Sequence, residues 1–272
     1  MINFLKKTGT VALLMATMVM FSTTVQAKAS NDVFADIINS GVLKVAMSGD
    51  QPPYNVLDRN KNLMGFDVDL ARALALAMQV DLEIVEVPFG KLITTLNNGK
   101  ADMIISGMAI TAPRSQLVTF IGPYNVSGKS MLTTRDVMER VAKEGFNNVN
   151  NRIIALENST SQAFVKSKMA KASLSTISNY KEGVQLLLAG KADILVADMA
   201  ICKLSVLRNP GTGLVTSKKP LSIEPIGIAI PLNNPELDNF VRNYLTTYEK
   251  MGMIDALQKK WFENSNWIVA LP

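Results

Sequence analysis

Two stretches of this chain, ninety-one positions apart, read almost alike: NNGKADMIISGM from Asn97 to Met108 and LAGKADILVADM from Leu188 to Met199. Each closes a helical pattern on a Gly-Lys turn and continues as Ala-Asp plus an apolar run, which reads as helix, turn and buried strand. A chain that builds this unit twice, inside a wider alternation of strand and helix patterns, is pointed to an α/β fold. The repeat admits two readings. It marks two similar lobes, each bringing one strand end to a shared cleft, or it is a coincidence of common helix–turn–strand chemistry. The copies differ where the strand ends: Gly107 in the first stands where Asp198 stands in the second.

The flanking segments supply the alternation. DVFADIINSG reads as a short helix ended by Gly41, and VLKVAM (Val42 to Met47) as a strand. SGDQPPYN is expected to be a loop, because its two prolines cannot extend a sheet interior. GFDVDLARALALAM follows as a helix with Asp67 placed to cap it and Leu70, Ala71, Leu74 and Met78 at helical spacing. DLEIVEVPF is a strand and GKLITTLNNG a short helix. In the second half NRIIALEN is a strand, STSQAFVKSKMA and YKEGVQLLLAG are helices, and ADILVADM is a strand. This order predicts mostly parallel sheets with a ligand site at strand C-termini. Ser159-x-x-Gln162 has the spacing of a capping box, whose free backbone N–H groups favour an anion. Thr111 and Pro113 open a further short helix or turn, with Arg114 in its first turn.

Composition narrows the chemistry. Lys6 and Lys7 precede the apolar run VALLMATMVMF, and Val25 and Ala27 fit a signal peptidase site. Residues 1–27 therefore read as a signal peptide, cleaved after Ala27, and the mature chain as an exported periplasmic protein. The run is shorter than the roughly 20 apolar residues of a membrane span. Removing that segment leaves 26 basic and 23 acidic residues, scattered rather than clustered, which does not suggest nucleic acid. Cys202 is the only cysteine, so no intramolecular disulfide forms. There is no histidine, which excludes the usual Ser-His-Asp and Cys-His nucleophile systems and His-ligated zinc. Catalysis would have to run on Asp, Glu, Lys or Tyr. No metal site and no cofactor is expected.

GFDVDLARALA, from Gly65 to Ala75, resembles the signature of the family 3 bacterial extracellular solute-binding proteins, the receptors of polar amino acid ABC transporters. GVLKVAMSGDQPPY, GKADMIISGMAITAPR, FIGPYNVSGKSMLTT, GKADILVADMA and the terminal LQKKWF fall in the order that family has them. The resemblance runs from about Phe34 to Phe262. It implies the two-lobed type II periplasmic binding fold, with two crossing strands near SGKSMLTT and EPIGIAIP and a ligand cleft between the lobes. Lobe 1 would be 28–127 plus 226–272, and lobe 2 would be 128–225.

The same resemblance implies a set of ligand contacts. Arg114 matches the arginine that grips an α-carboxylate, a task suited to a planar guanidinium with two parallel donors. Asp198 matches the carboxylate that receives the α-ammonium, since a buried acid needs a cationic partner. Backbone groups at Ser106 and Gly107, and at Thr160 and Ser161, would complete the grip. Phe89 matches an aromatic wall of the side-chain pocket, with simple core packing as the alternative. Three positions depart from the family pattern: Ala109 replaces a Ser or Thr, Gln51 replaces an aromatic lid while Tyr54 holds the turn, and Ser159 replaces a common glycine. The implied function is reception of an amino acid or similar zwitterion for a membrane ABC permease, by a monomer and without catalysis. The competing implication is a periplasmic cyclohexadienyl dehydratase, which shares this fold. Its proton donor would be Glu157 or Glu224; otherwise Glu157 tunes ligand selectivity and Glu224 is a surface or hinge residue.

Overall fold

In the computed structural model the described residues are 32–272, so the predicted signal segment lies outside them. The first lobe begins with α1 (Val33–Ser40), which Asp32 caps and Gly41 ends in a left-handed conformation. There follow β1 (Val42–Met47), β2 (Asp50–Gln51), β3 (Asn55–Leu57), β4 (Leu63–Met64), α2 (Phe66–Met78), β5 (Asp81–Glu86), α3 (Leu92–Asn97), β6 (Met103–Ile104), α4 (Ala112–Ser115) and β7 (Thr119–Ser127). The chain then crosses into β8 (Lys129–Thr134), α5 (Arg135–Glu144), β9 (Arg152–Leu156), α6 (Thr160–Lys168), β10 (Ser173–Ile177), α7 (Tyr180–Leu188), β11 (Ile194–Asp198), α8 (Met199–Arg208) and β12 (Leu214–Thr216). It returns through β13 (Glu224–Ile230) to α9 (Pro235–Lys250) and α10 (Met253–Gln258). No helix among the described residues is long and apolar enough to cross a membrane.

Two five-stranded sheets result, in the orders β5-β1-β6-β13-β7 and β10-β9-β11-β8-β12. The two GKAD units feed β6 and β11, the central strand of each sheet, so the duplication reflects two lobes of one design. The expectation of mostly parallel sheets needs correction. β5, β1 and β6 are parallel, as are β10, β9 and β11, but β13, β7, β8 and β12 all join antiparallel. A parallel neighbour needs a helical crossover to return the chain; β8 and β13 enter directly from the other lobe without one, and β7 and β12 pair with these two strands. The SGDQPPYN segment also differs from expectation. Its Asp50 and Gln51 pair with Val56 and Asn55 in a small three-stranded sheet, β2-β3-β4.

The first core packs α1, α2, α9 and the C-terminal aromatics on one face of the first sheet, with Phe66 stacked on Tyr124 at 5.5 Å. Leu70, Ala71, Leu74 and Met78 are buried there, as their spacing predicts. A second apolar cluster runs through both lobes, joining Ala46, Phe89 and Ile104 to Leu132, Tyr180 and Ala197. The lobes therefore meet over an apolar surface on the face where the central strands end.

Candidate functional site

The difference between the two repeat ends has a structural cause. Gly107 has φ +56, and a Cβ there would lie 3.0 Å from Cδ2 of Tyr54. Glycine avoids both the left-handed strain and the contact. Asp198 has ordinary extended dihedrals at the end of β11, so a side chain fits.

Asp67 does not cap α2. Gly65 is the residue before the helix, because a Cβ at that position would come 2.1 Å from the Tyr54 carbonyl oxygen. Asp67 is instead fully buried and braces the end of β6. Its Oδ2 accepts the Gly107 N–H at 2.8 Å and the Asn55 amide at 3.0 Å, and its Oδ1 accepts the Tyr124 hydroxyl at 2.8 Å. Burial pushes its carboxyl up to about 6 against these three stabilising donors. Ser106 Oγ in turn accepts the Ser48 N–H at 3.0 Å and a donor from Asn55. Of the backbone groups at Ser106 and Gly107, the Gly107 N–H is thus committed to Asp67.

Arg114 stands at the mouth of the cleft. Thr111 caps the short α4 that carries it, and Pro113 occupies the first turn. Nη1 donates to the Ala109 carbonyl at 2.9 Å, and Nη2 donates across the cleft to the Asn158 carbonyl at 3.2 Å. The guanidinium lies over the Phe89 ring, 5.5 Å from its centroid. Two of its five N–H donors are used in these contacts, which leaves three. Burial lowers its pKa, opposed by Glu224 and Asp198, and an arginine so placed remains cationic.

On the other lobe Ser159 caps α6, its Oγ accepting from the Gln162 N–H, while Gln162 Oε1 takes the Asn158 N–H. This is the predicted cap, shifted by one residue at its return bond. Thr160 follows and donates to Glu224 Oε2 at 2.8 Å. Ser161 Oγ is buried and has no partner among the described residues, and the same holds for Gln51 Nε2, which lies beside the Tyr180 phenol. Glu157 is exposed at the rim.

Asp198 already carries a cation within the chain. It is buried, and its Oδ1 is 2.5 Å from Nζ of Lys129, its register partner on β8. The same ammonium lies 2.7 Å from Glu224 Oε2. Burial alone would lower the Lys129 pKa, but Asp198 and Glu224 together raise it above the usual lysine value. Lys129 was not anticipated as a site residue. Its signal is a lone cation in the strand-forming segment SGKSMLTT, where burial demands a counter-charge.

Tyr54 is not a lid. It packs edge-on against Phe66 and Phe262 in the first core, and its hydroxyl accepts from Asn125 at 3.1 Å. It also borders a separate groove of about 570 Å³ between α8 and the C-terminal aromatics, which contains neither Arg114 nor Asp198. Cys202, the one thiol, lies buried in α8, and burial pushes it up to about 12, which leaves it unreactive.

Residues 43–264 match the model of the bacterial extracellular solute-binding proteins, family 3. The chain is 28% identical over 235 residues to ABC transporter arginine-binding protein 1 of Escherichia coli K12, covering 84% of this chain and 91% of that protein. It is 24% identical over 233 residues to cyclohexadienyl dehydratase of Pseudomonas aeruginosa, covering 84% and 85%. Among solved structures, an ancestral amino acid-binding protein described as a precursor of cyclohexadienyl dehydratase superposes with a TM-score of 0.79 at 32% identity, covering 84% of this chain and 99% of that one.

Proposed function

The chain belongs to family 3 of the bacterial extracellular solute-binding proteins, and on that premise we propose that it is the periplasmic receptor of an ABC transporter for an amino acid. Lobe 1 is read as residues 28–127 plus 226–272 and lobe 2 as 128–225, a division supported by the membership of the two sheets. Export through the N-terminal signal segment and delivery to a membrane permease complete the reading.

The observation that carries it is the placement of Arg114. Its guanidinium sits on Phe89 at the lobe junction with donors to spare, opposite the net-negative group formed by Asp198, Glu224 and Lys129. A zwitterion bridges such a pair of poles: carboxylate on Arg114, ammonium on the free oxygens of Asp198 and Glu224. The buried, unpartnered Ser161 Oγ and Gln51 Nε2 are further ligand contacts, since buried polar atoms cost stability until they are paired. Phe89 supplies the apolar wall, and Thr160 holds Glu224. Ser106 and Gly107 shape the cleft through the Asp67 network rather than by the Gly107 N–H.

The dehydratase relative raises a second reading, which the geometry of the acids does not favour. An acid catalyst has to donate a proton, whereas Glu224 Oε2 accepts two hydrogen bonds, from Lys129 and Thr160. Glu157 is exposed at the rim and is read as a selectivity residue. The test is a calorimetric titration with the twenty common amino acids, paired with small-angle scattering. Binding of at least one, with a fall in radius of gyration, is expected. Turnover of prephenate or arogenate by the purified protein would replace this reading with the enzymatic one.

A further inference from the structure

Lys129 follows immediately after the strand crossing, where a Cβ at Gly128 would come 2.4 Å from the Ser222 carbonyl oxygen. The chain is packed tightly there. The Lys129 carbonyl accepts the Leu221 N–H at 2.7 Å, and its side chain is almost fully buried. Its ammonium is held between two side-chain carboxylates, Asp198 of β11 and Glu224 of β13.

This changes what the site requires of a ligand. Where a buried aspartate waits unpaired, a ligand lacking an ammonium leaves that charge stranded and loses at least about thirtyfold in affinity. Here both carboxylates already have a cation. An arriving α-ammonium adds a second positive charge beside Lys129, and the repulsion between the two offsets much of what the free carboxylate oxygens offer. A lysine ammonium also has three donors, and Asp198 and Glu224 take two of them. The third suits an acceptor on the ligand's α-carbon. An ammonium cannot accept that bond, but a hydroxyl or keto oxygen can.

From this arrangement we propose that Lys129 is a resident ammonium that opens the cleft to 2-hydroxy and 2-oxo carboxylates as well as to the corresponding amino acid. The proposal rests on the amino acid reading above for the role of Arg114, which grips the carboxylate common to all three. Lys129 is then the residue that sets the ligand class: it relaxes the demand for an α-amino group.

The experiment is a calorimetric comparison of arginine, glutamine and leucine, each with its 2-hydroxy and 2-oxo counterpart. For whichever amino acid binds the wild-type chain, at least one oxygen counterpart is expected within thirtyfold of it. Discrimination beyond thirtyfold against both overturns the proposal. A second arm uses the double variant Lys129→Met with Glu224→Gln, which removes one charge of each sign and leaves Asp198 as a lone acceptor. Preference for the amino acid should widen at least tenfold, and an unchanged preference removes Lys129 from the role. Should the double variant fail to fold, the wild-type comparison decides alone. A chain that binds only the oxygen-bearing compounds upholds Lys129 and overturns the amino acid reading. A chain that binds none of the twenty common amino acids and none of these counterparts overturns both.

Discussion

The Asp50 carboxylate of the first lobe accepts the backbone N–H of Tyr180 at 2.7 Å, across a sequence gap of 130 residues. Tyr180 opens α7 on the second lobe, so the acid sits on a helix N-terminus presented by the opposite side of the cleft. The bond exists only when the lobes are together. Burial nonetheless pushes the Asp50 carboxyl up to about 6, with the Tyr180 N–H acting against it. Its ordinary value is 3.8, which it should regain once the lobes part and water reaches it.

A pH dependence of closure follows, and its sign is set by that difference. The closed form holds the Asp50 proton more tightly than the open form, so closure takes up a proton between roughly pH 4 and 6. Ligand affinity coupled to closure should rise by roughly tenfold on going from pH 7 to pH 5. Asp50→Asn keeps an acceptor for the Tyr180 N–H and cannot titrate, so its affinity should be flat over the same interval. Titrations of both proteins at pH 5, 6 and 7 check this. A wild-type affinity that falls toward pH 5 contradicts it.

Arg114 should be the cleaner probe of recognition. It is only half-buried, and its bonds within the chain go to two backbone carbonyls, that of buried Ala109 and that of exposed Asn158. Arg114→Ala is expected to weaken binding by roughly thirtyfold or more, because the ligand carboxylate loses a bidentate partner inside a closed cleft. Arg114→Lys should recover part of that loss through charge alone. Melting temperatures of the unliganded variants should stay within about 2 °C of wild type, in line with a surface substitution. Equal binding by wild type and Arg114→Ala would remove the carboxylate grip from Arg114.

The sequence exposed the frame of the site more readily than its charges. The GKAD repeat located both central strands, and Thr111, Pro113, Ser159 and Gln162 act as caps where local chemistry predicts. These are short-range effects, each contained within a few residues. Lys129 meets Asp198 across 69 residues and Glu224 across a still longer separation, and only strand register brings them together. Asp67 shows the same limit. Three residues before Leu70 it looks like a helix cap, but its partners are Asn55, Gly107 and Tyr124, the last two 40 and 57 positions away. Local pattern cannot tell an acid that caps its own helix from one that braces a distant loop.

Asp67→Ala should therefore act on stability and binding together. It leaves the Gly107 N–H, the Tyr124 hydroxyl and one Asn55 donor facing a buried void. Each unsatisfied buried group costs about 1–3 kcal/mol, and relief of the buried charge returns part of that. A net loss of about 3 kcal/mol is expected, read by urea denaturation at pH 7. Any ligand bound by wild type should bind more weakly, since the Ser106–Gly107 segment loses its brace. A variant as stable as wild type would show that the network is not structural.

Copying the second repeat end into the first tests why the two copies diverged. Gly107→Asp places a side chain at φ +56 with its Cβ 3.0 Å from the Tyr54 ring. The left-handed conformation alone costs about 1 kcal/mol for a residue of this kind. The Tyr54 ring cannot retreat cheaply, because it is fully buried against Phe66 and Phe262. Overpacking of this kind adds about 1–3 kcal/mol. At about 2–4 °C per kcal/mol for a domain of this size, the melting temperature should fall by about 4–16 °C. Gly99 supplies the control. It has a similar φ of +66, at the turn after α3, but a Cβ there meets nothing within 4 Å. Gly99→Asn should cost no more than about 1 kcal/mol, because only the backbone term applies. Calorimetric scans of the two variants separate the effects: if Gly107→Asp and Gly99→Asn melt together, backbone conformation alone kept the first copy a glycine. If Gly107→Asp melts well below, packing on Tyr54 is what bars an acid from the first lobe and leaves Asp198 as the acid at the end of the repeated strand.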